Sequence, residues 1–170
     1  MVTAPTVVAE ALSLEAFAPF GDVVSAGLRV GKSANQGTAI RFDWIAALQS
    51  SRPSARPNLA VFRSTPKAMP FEVKLLERHP FSTQMFVPMQ CSEFLVVVCP
   101  DDARGEPDLP RLQAFVCGPG QGINYKPSTW HHPIIALDTP AEFIMLAWED
   151  GSASDCEERP LNTPIVVERK

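Results

Sequence analysis

Seventeen prolines are spread along almost the whole chain of 170 residues. A proline inside a helix removes a backbone donor and clashes with the preceding turn, so this distribution disfavours long helices over most of the sequence. Short segments rich in apolar, β-branched and aromatic residues lie between the prolines and other turn residues. Their spacing is typical of a β-sandwich or a β-barrel, and we therefore expect a mainly β fold.

Seven segments have the composition of strands. They are NLAVFR from Asn58, FEVKLLERH from Phe71, TQMFVPM from Thr83, EFLVVVC from Glu93, QAFVC from Gln113, HPIIAL from His132 and AEFIMLAW from Ala141. One or two short helices are expected near the N-terminus, one capped by Ser13 and ended by Gly21 and a second over RFDWIAAL from Arg41. DGSASDCEERP from Asp150 predicts an exit from the barrel into a looser tail.

The bulk properties exclude several classes of protein. The length fits a single domain over 1–170, and no apolar run approaches the ~18 residues of a membrane helix. The net charge of −4 argues against a nucleic-acid partner. Because Met1 to Glu10 do not form a secretory signal, the cytoplasm is the expected compartment. The widely separated cysteines are expected to stay reduced; they are Cys91, Cys99, Cys117 and Cys156.

The first group of polar residues with chemical potential lies in LLERHPFSTQMFVPM. On a strand, residues two apart share a face, so Glu77 and His79 are expected to lie side by side. Gln84 follows five residues after His79, across a proline break. A proline turn and a histidine come much later in the chain, and this order is similar to the outline of the two cupin motifs, which bind a divalent metal.

The second group lies in YKPSTWHHPI, where His131 and His132 are adjacent and must point to opposite faces of a strand. Counting from the turn residue Pro127 predicts that His132 faces the barrel interior and that His131 turns outward. The likeness to cupins then implies a metal set of Glu77, His79, Gln84 and His132. Glutamine is a weak neutral ligand, so a low affinity for a first-row metal is expected.

LLERHPFSTQMFVPM, GQGINYKPSTWHHP and ANQGTAIRFD together resemble the ureidoglycolate lyase family, enzymes of allantoin breakdown. The resemblance extends from LSLEAFAPFGDVV to the strand that contains Trp148. It implies a cupin-like jelly-roll β-barrel, a homodimer, and cleavage of ureidoglycolate into glyoxylate and urea. No cofactor is required by this reaction, although a divalent metal ion could assist it.

The implied reaction needs a base for the carbinol proton, an acid for the departing urea nitrogen and cationic donors for the carboxylate. The candidate acid and base residues are Glu77, His79 and His132, because imidazole titrates near neutral pH and a carboxylate can accept a proton or orient a histidine. We expect His132 or Glu77 to remove the proton and His79 to help protonate the nitrogen. Which residue takes which step is left open.

Six further residues are candidates for binding the substrate. Arg41 and Arg63 can hold the carboxylate in a two-bond fork. Asn35 lies in the loop before Arg41 and could help to shape the anion site. Gln84 and Tyr125 could bind the ureido group, and the role of Lys126 is left open.

Two other functions fit the same residues. A metal-assisted amidohydrolase would release ammonia and carbon dioxide instead of urea. A non-catalytic barrel would bind a small anion without consuming ureidoglycolate.

Overall fold

The computed structural model describes residues 4–170, and strands dominate this part of the chain. The strands and the helix are β1 (Thr6–Ala11), α1 (Leu14–Phe17), β2 (Gly21–Val24), β3 (Lys32–Ala34), β4 (Ala39–Arg41), β5 (Arg56–Ser64), β6 (Phe71–Arg78), β7 (Gln84–Gln90), β8 (Glu93–Cys99), β9 (Gln113–Cys117), β10 (Gly122–Tyr125), β11 (Trp130–His131), β12 (Ile135–Leu137), β13 (Ala141–Glu149) and β14 (Glu157–Arg169). Three short 3-10 helices lie at Asn35–Gly37, Leu109–Arg111 and Ala153–Asp155. The expectation of a mainly β protein is confirmed.

Two large sheets and one hairpin organise the strands. The first sheet has the order β11-β6-β14-β1-β9-β8-β12, and β11 also pairs with β8, so six of its strands close into a ring. The second sheet has the order β2-β10-β7-β13-β5, and β3 and β4 form a separate hairpin. Within residues 4–170, no helix is both long and apolar enough to cross a membrane.

Side chains of the ring strands β8 and β9 alternate between two apolar cores. In β8, the side chains of Phe94, Val96 and Val98 enter a core shared by the two large sheets, which we call the intersheet core. Leu95, Val97 and Cys99, on the opposite face, join a second core formed by ring strands and β12, the ring core. Because both faces are buried, β8 is a continuous apolar run and not an alternating one.

The N-terminal helix is confirmed, with Ser13 Oγ accepting a hydrogen bond from Ala16 N at 3.2 Å. The second helix is wrong, because β4 ends at Arg41 and an irregular segment follows. Long-range hydrogen bonds hold that segment in place: Asp22 Oδ2 accepts from Ala47 N at 3.0 Å. Tertiary contacts therefore override a locally helical pattern.

The expected loose tail is also wrong. β14 spans 13 residues, pairs antiparallel with β6 and parallel with β1, and so closes the ring. Its register against β6 shifts between Pro160 and Ile165, where the chain carries two prolines. Beyond the shift, Ile165 and Val167 enter the ring core.

Gly21 lies where β2 crosses β10 too closely for a side chain. A Cβ atom at this position would lie 2.0 Å from the carbonyl oxygen of Asn124. We expect Gly21→Ala to lower the free energy of unfolding by about 1–3 kcal/mol, the usual cost of overpacking. Gly120→Ala is the matched control, because a Cβ there meets no atom within 4 Å. Chemical denaturation measures both variants, and equal stability of the two would contradict the expectation.

Candidate active site

Four strands bring polar side chains to one end of the intersheet core. Glu77 in β6 is the direct partner of His131 in β11, and Tyr125 in β10 is the direct partner of Gln84 in β7. Direct partners on neighbouring strands share a face of their sheet. Each large sheet therefore contributes one pair to the site.

His131 lies at the centre of this group and is 1% exposed. Its ring stacks on Tyr125, with ring centroids 4.0 Å apart, and lies 5.6 Å from the ring of His79. Its Nδ1–H donates to the carbonyl oxygen of Thr129 at 2.8 Å. Its Nε2 is 3.4 Å from Glu77 Oε1, an ion-pair distance that is longer than a well-formed hydrogen bond.

His79 directly follows β6, and one of its ring nitrogens has no hydrogen-bond partner in the described part of the chain. Its Nδ1–H donates to the carbonyl oxygen of Asp155 at 2.9 Å, and its Nε2 is buried without a hydrogen-bond partner among residues 4–170. Burial lowers the pKa of His79 below its ordinary value, because the charged form is poorly solvated there. The neutral imidazole is thus favoured, with its lone pair on Nε2.

Glu77 is held between a histidine and a cysteine. Burial alone would raise the pKa of Glu77, but the interaction with the adjacent His131 brings it below the ordinary value. Its Oε2 lies 3.8 Å from Cys156 Sγ, and burial together with nearby carboxylates raises the pKa of that thiol to about 12. The protonated thiol can therefore donate to the ionised carboxylate.

Four polar atoms of the site are buried without a hydrogen-bond partner in the described part of the chain. They are His79 Nε2, His131 Nε2, Gln84 Oε1 and Tyr125 OH. An unpaired buried polar atom costs roughly 1–3 kcal/mol, so such atoms are normally rare. Their concentration in one place indicates a site built to bind a polar ligand.

Three side chains of the site could also hold a metal ion. One ligand atom from each of Glu77, His79 and His131 lies within 4.8 Å of the other two. Both histidines donate Nδ1–H to a backbone carbonyl, which fixes Nε2 as the free nitrogen, an arrangement typical of metal-binding histidines. Of the expected metal set, Glu77 and His79 are thus together, and His131 stands where His132 was expected.

The predicted orientation of the histidine doublet is wrong. His131, and not His132, pairs with Glu77: the ring of His132 is edge-on to Phe71 at 5.2 Å, and its Nδ1–H donates to Pro133 O at 2.7 Å. The count from the turn proline fails because Ser128 adopts a left-handed conformation with φ 66°, so regular alternation begins only in β11. The signal that could have fixed the register is Trp130, whose large apolar side chain fills the ring core and turns His131 to the other face.

The two arginines proposed for the substrate carboxylate lie on the surface. Arg41 pairs with Asp43 at 2.6 Å, and Arg63, with a side chain 84% exposed, pairs with Glu142 at 2.8 Å. Neither is brought to the Glu77 group in this chain.

Asn35 and Lys126 are likewise exposed. Asn35 lies in the turn of the β3–β4 hairpin, and Lys126 Nζ donates to the carbonyl oxygen of Ala18. Of the six binding candidates, the structure places Gln84 and Tyr125 at the site. The sequence reasoning missed Asp155 and Cys156, because they fall in the segment expected to leave the barrel.

Comparison with known proteins gives a consistent result. The sequence model of the family described as ureidoglycolate lyase matches residues 4–168. A ureidoglycolate lyase of Rhizobium etli (strain CFN 42) is 38% identical over 156 residues, 92% of each chain. A ureidoglycolate lyase of Burkholderia mallei (strain NCTC 10229) is 41% identical over 137 residues, 81% of this chain and 79% of the relative.

Among solved structures, a dTDP sugar isomerase from Desulfovibrio desulfuricans G20 aligns with a TM-score of 0.50 and 21% identity, covering 85% of this chain and 87% of that one. This likeness concerns the fold alone. Together with the closed ring and the second sheet, it confirms the expected cupin-like jelly-roll barrel.

The depressed pKa of His79 predicts how stability depends on pH. A histidine whose pKa is lower in the folded than in the unfolded protein contributes stability above its ordinary value of 6.5, and this contribution is lost as pH falls toward the folded pKa. The free energy of unfolding of metal-free protein should therefore decrease from about pH 7.5 to about pH 5.5. His79→Asn keeps a donor for Asp155 but does not titrate, so it should show a smaller decrease. Denaturant titrations at the two pH values test this, and equal decreases in both proteins would contradict it.

Proposed function

Because the chain belongs to the ureidoglycolate lyase family, we propose that it cleaves ureidoglycolate into glyoxylate and urea, as a step of allantoin breakdown. The observation that carries the proposal is the group of unpaired buried polar atoms beside Glu77. The family supplies the substrate, and this group supplies an acid, a base and polar contacts in one place.

The reaction moves one proton within the substrate. The carbinol hydroxyl loses its proton as its oxygen becomes the aldehyde oxygen of glyoxylate, and the carbon–nitrogen bond breaks. The electron pair of that bond passes to the urea nitrogen, which takes up a proton. The site therefore needs one group that accepts a proton and one that donates it.

His79 is suited to accept the hydroxyl proton. Its Nδ1–H is committed to the carbonyl oxygen of Asp155, so the lone pair of the neutral ring is on Nε2. Burial keeps the pKa of this imidazole low and the lone pair available near neutral pH. This role differs from the sequence-based expectation, in which His79 protonates the nitrogen.

His131 is suited to donate the proton to the departing nitrogen. Its Nδ1–H is committed to Thr129, so in the imidazolium form the second N–H, on Nε2, faces the carboxylate of Glu77 at 3.4 Å. Glu77 stabilises this imidazolium and orients it. The rings of His79 and His131 lie close enough for a bound substrate to contact both.

Gln84 and Tyr125 provide polar contacts for the ureido group. Gln84 Oε1 can accept a hydrogen bond from a urea N–H, and Tyr125 OH can donate one to the urea carbonyl. Burial raises the pKa of Tyr125 well above its ordinary value, so the hydroxyl stays protonated and acts as a donor.

The same site fits a divalent metal ion on Glu77, His79 and His131, with Gln84 as a neighbouring oxygen donor. An ion bound there would supply positive charge for the substrate carboxylate. In residues 4–170, His131 is the only ion-pair partner of Glu77, so no lysine or arginine is paired with the Glu77 carboxylate.

We further propose a homodimeric protein that acts in the cytoplasm. β5 is an edge strand, and its exposed face carries Leu59 and Val61, which are 69% and 62% exposed. A long apolar edge is a template for pairing with a second chain.

The four cysteines are free, which suits a reducing compartment. Light scattering should give twice the chain mass of 18.6 kDa, and a monomer would exclude the dimer.

The test of the activity is incubation with each enantiomer of ureidoglycolate while urea, glyoxylate and ammonia are measured. Urea and glyoxylate in equal amounts support the lyase, ammonia without urea supports the hydrolase, and absence of turnover supports an anion-binding barrel. Metal analysis before and after dialysis against a chelator shows in the same samples whether activity follows metal content.

Two matched variants decide which histidine acts. Asparagine keeps a donor for the backbone carbonyl but removes Nε2, so His131→Asn should lower kcat/KM by roughly 10²- to 10⁴-fold, the range of general acid–base catalysis. His132→Asn should keep most of the activity, because His132 packs against Phe71 outside the site. Steady-state kinetics below the melting temperature measures both. A larger loss in His132→Asn than in His131→Asn would restore the orientation expected from the sequence.

A further inference from the structure

We infer that Arg52 is a positioning residue that holds both His79 and Glu77 in place through the turn Asp150–Cys156. The inference rests on the proposed function for its kinetic readout. It concerns an arginine that touches neither of the two side chains directly and that sequence patterns did not single out.

The turn is folded around the carboxylate of Asp155. Its oxygens accept hydrogen bonds from Asp150 N at 3.2 Å and from Gly151 N at 2.8 Å, and Gly151 has a left-handed φ of 78°. Arg52 forms ion pairs with Asp155 and, at 3.1 Å, with Asp150. One guanidinium therefore joins the two ends of the turn.

Two consecutive residues at the end of this turn contact the site. The carbonyl oxygen of Asp155 accepts the Nδ1–H of His79 at 2.9 Å. The thiol of Cys156 lies 3.8 Å from Glu77 Oε2. A displacement of the turn would therefore move the partners of both side chains together.

The contact with Asp155 decides which nitrogen of His79 carries the proton. In a neutral imidazole, only one of the two ring nitrogens carries a proton, and a nitrogen that is hydrogen-bonded to a carbonyl oxygen has to be that one. With the carbonyl in place, Nδ1 is protonated and Nε2 presents its lone pair to the site. If the carbonyl moves away, the ring loses this preference and part of the population presents Nε2–H instead.

Arg52 reaches the turn from a segment tied to the loop after His79. Ser51 N donates to Phe81 O at 2.8 Å, and the Arg52 guanidinium lies over the Phe81 ring at 5.0 Å. The Arg52 and Asp155 side chains are each only 14% exposed, so neighbouring residues hold both of them in place. Arg52 thus clamps the loop that follows His79 to the turn that orients its ring.

Arg52→Met tests the clamp by removing the charge while keeping a long side chain. We expect kcat to fall about 10- to 100-fold, the usual effect of losing an outer partner of a site residue, with little change in KM. Arg52→Lys should recover part of the loss, because it restores the charge without the fork. Arg111→Met is the matched control, since it removes a surface ion pair with Asp108 from an exposed side chain, and it should leave kcat unchanged.

The second readout is the tautomer of His79, followed by ¹⁵N NMR of the imidazole nitrogens in metal-free protein. The chain has three histidines, so His131→Asn and His132→Asn suffice to assign the signals. Wild-type protein should show the Nδ1–H form of His79, and Arg52→Met a mixture of forms. If Arg52→Met does not fold, Arg52→Lys and Asp155→Asn carry the test with the same readout.

An unchanged His79 tautomer in folded variants of Arg52 would overturn the inference, whatever the activity. A change of tautomer with an unchanged kcat would also overturn it. Failure of the wild-type protein to cleave ureidoglycolate would instead overturn the proposed function, and the NMR result would then still decide whether Arg52 positions the histidine.

Discussion

The alternation of side chains between two apolar cores is the constraint on which the site depends. β8 buries one face in the ring core and the other in the intersheet core, and β11 places Trp130 in the ring core and the buried His131 on the opposite face. A shift of register by one residue would move polar side chains into the ring core and apolar ones into the site. The burial of Trp130 in the ring core therefore fixes His131 beside Glu77.

The same constraint explains how the chain tolerates a polar site inside an apolar barrel. Unpaired buried polar atoms such as Gln84 Oε1 and Tyr125 OH destabilise the folded protein. They lie at one end of the intersheet core, while the rest of that core and the ring core are apolar. The barrel stabilises the strands from both sides, and the strand ends are left free to hold groups that a ligand completes.

The sequence predicted those parts of the fold that local patterns determine, and it failed where distant contacts decide. The buried run of β8 and the capped helix at Ser13 are readable because their signals lie within a few residues. β14 was missed because its two prolines imitate a loop, and its partners β6 and β1 lie far away in the chain. Glu77 and His79 were correctly paired by spacing, whereas the choice of His131 depends on the left-handed conformation of Ser128.

Charge is the remaining link between the geometry and the proposed reaction. The site contains the ionised Glu77, and its single ion-pair partner in residues 4–170, His131, can at most neutralise it, so the pair has no positive charge to offer an anion. A substrate carboxylate adds one negative charge to a buried space, which is costly without a compensating cation. Arg41 and Arg63 are already paired with Asp43 and Glu142 at the surface. Binding of the anion must therefore be coupled to an additional positive charge. Uptake of a proton by His79, or of a metal ion by the side chains of the site, would supply that charge where the carbon–nitrogen bond breaks.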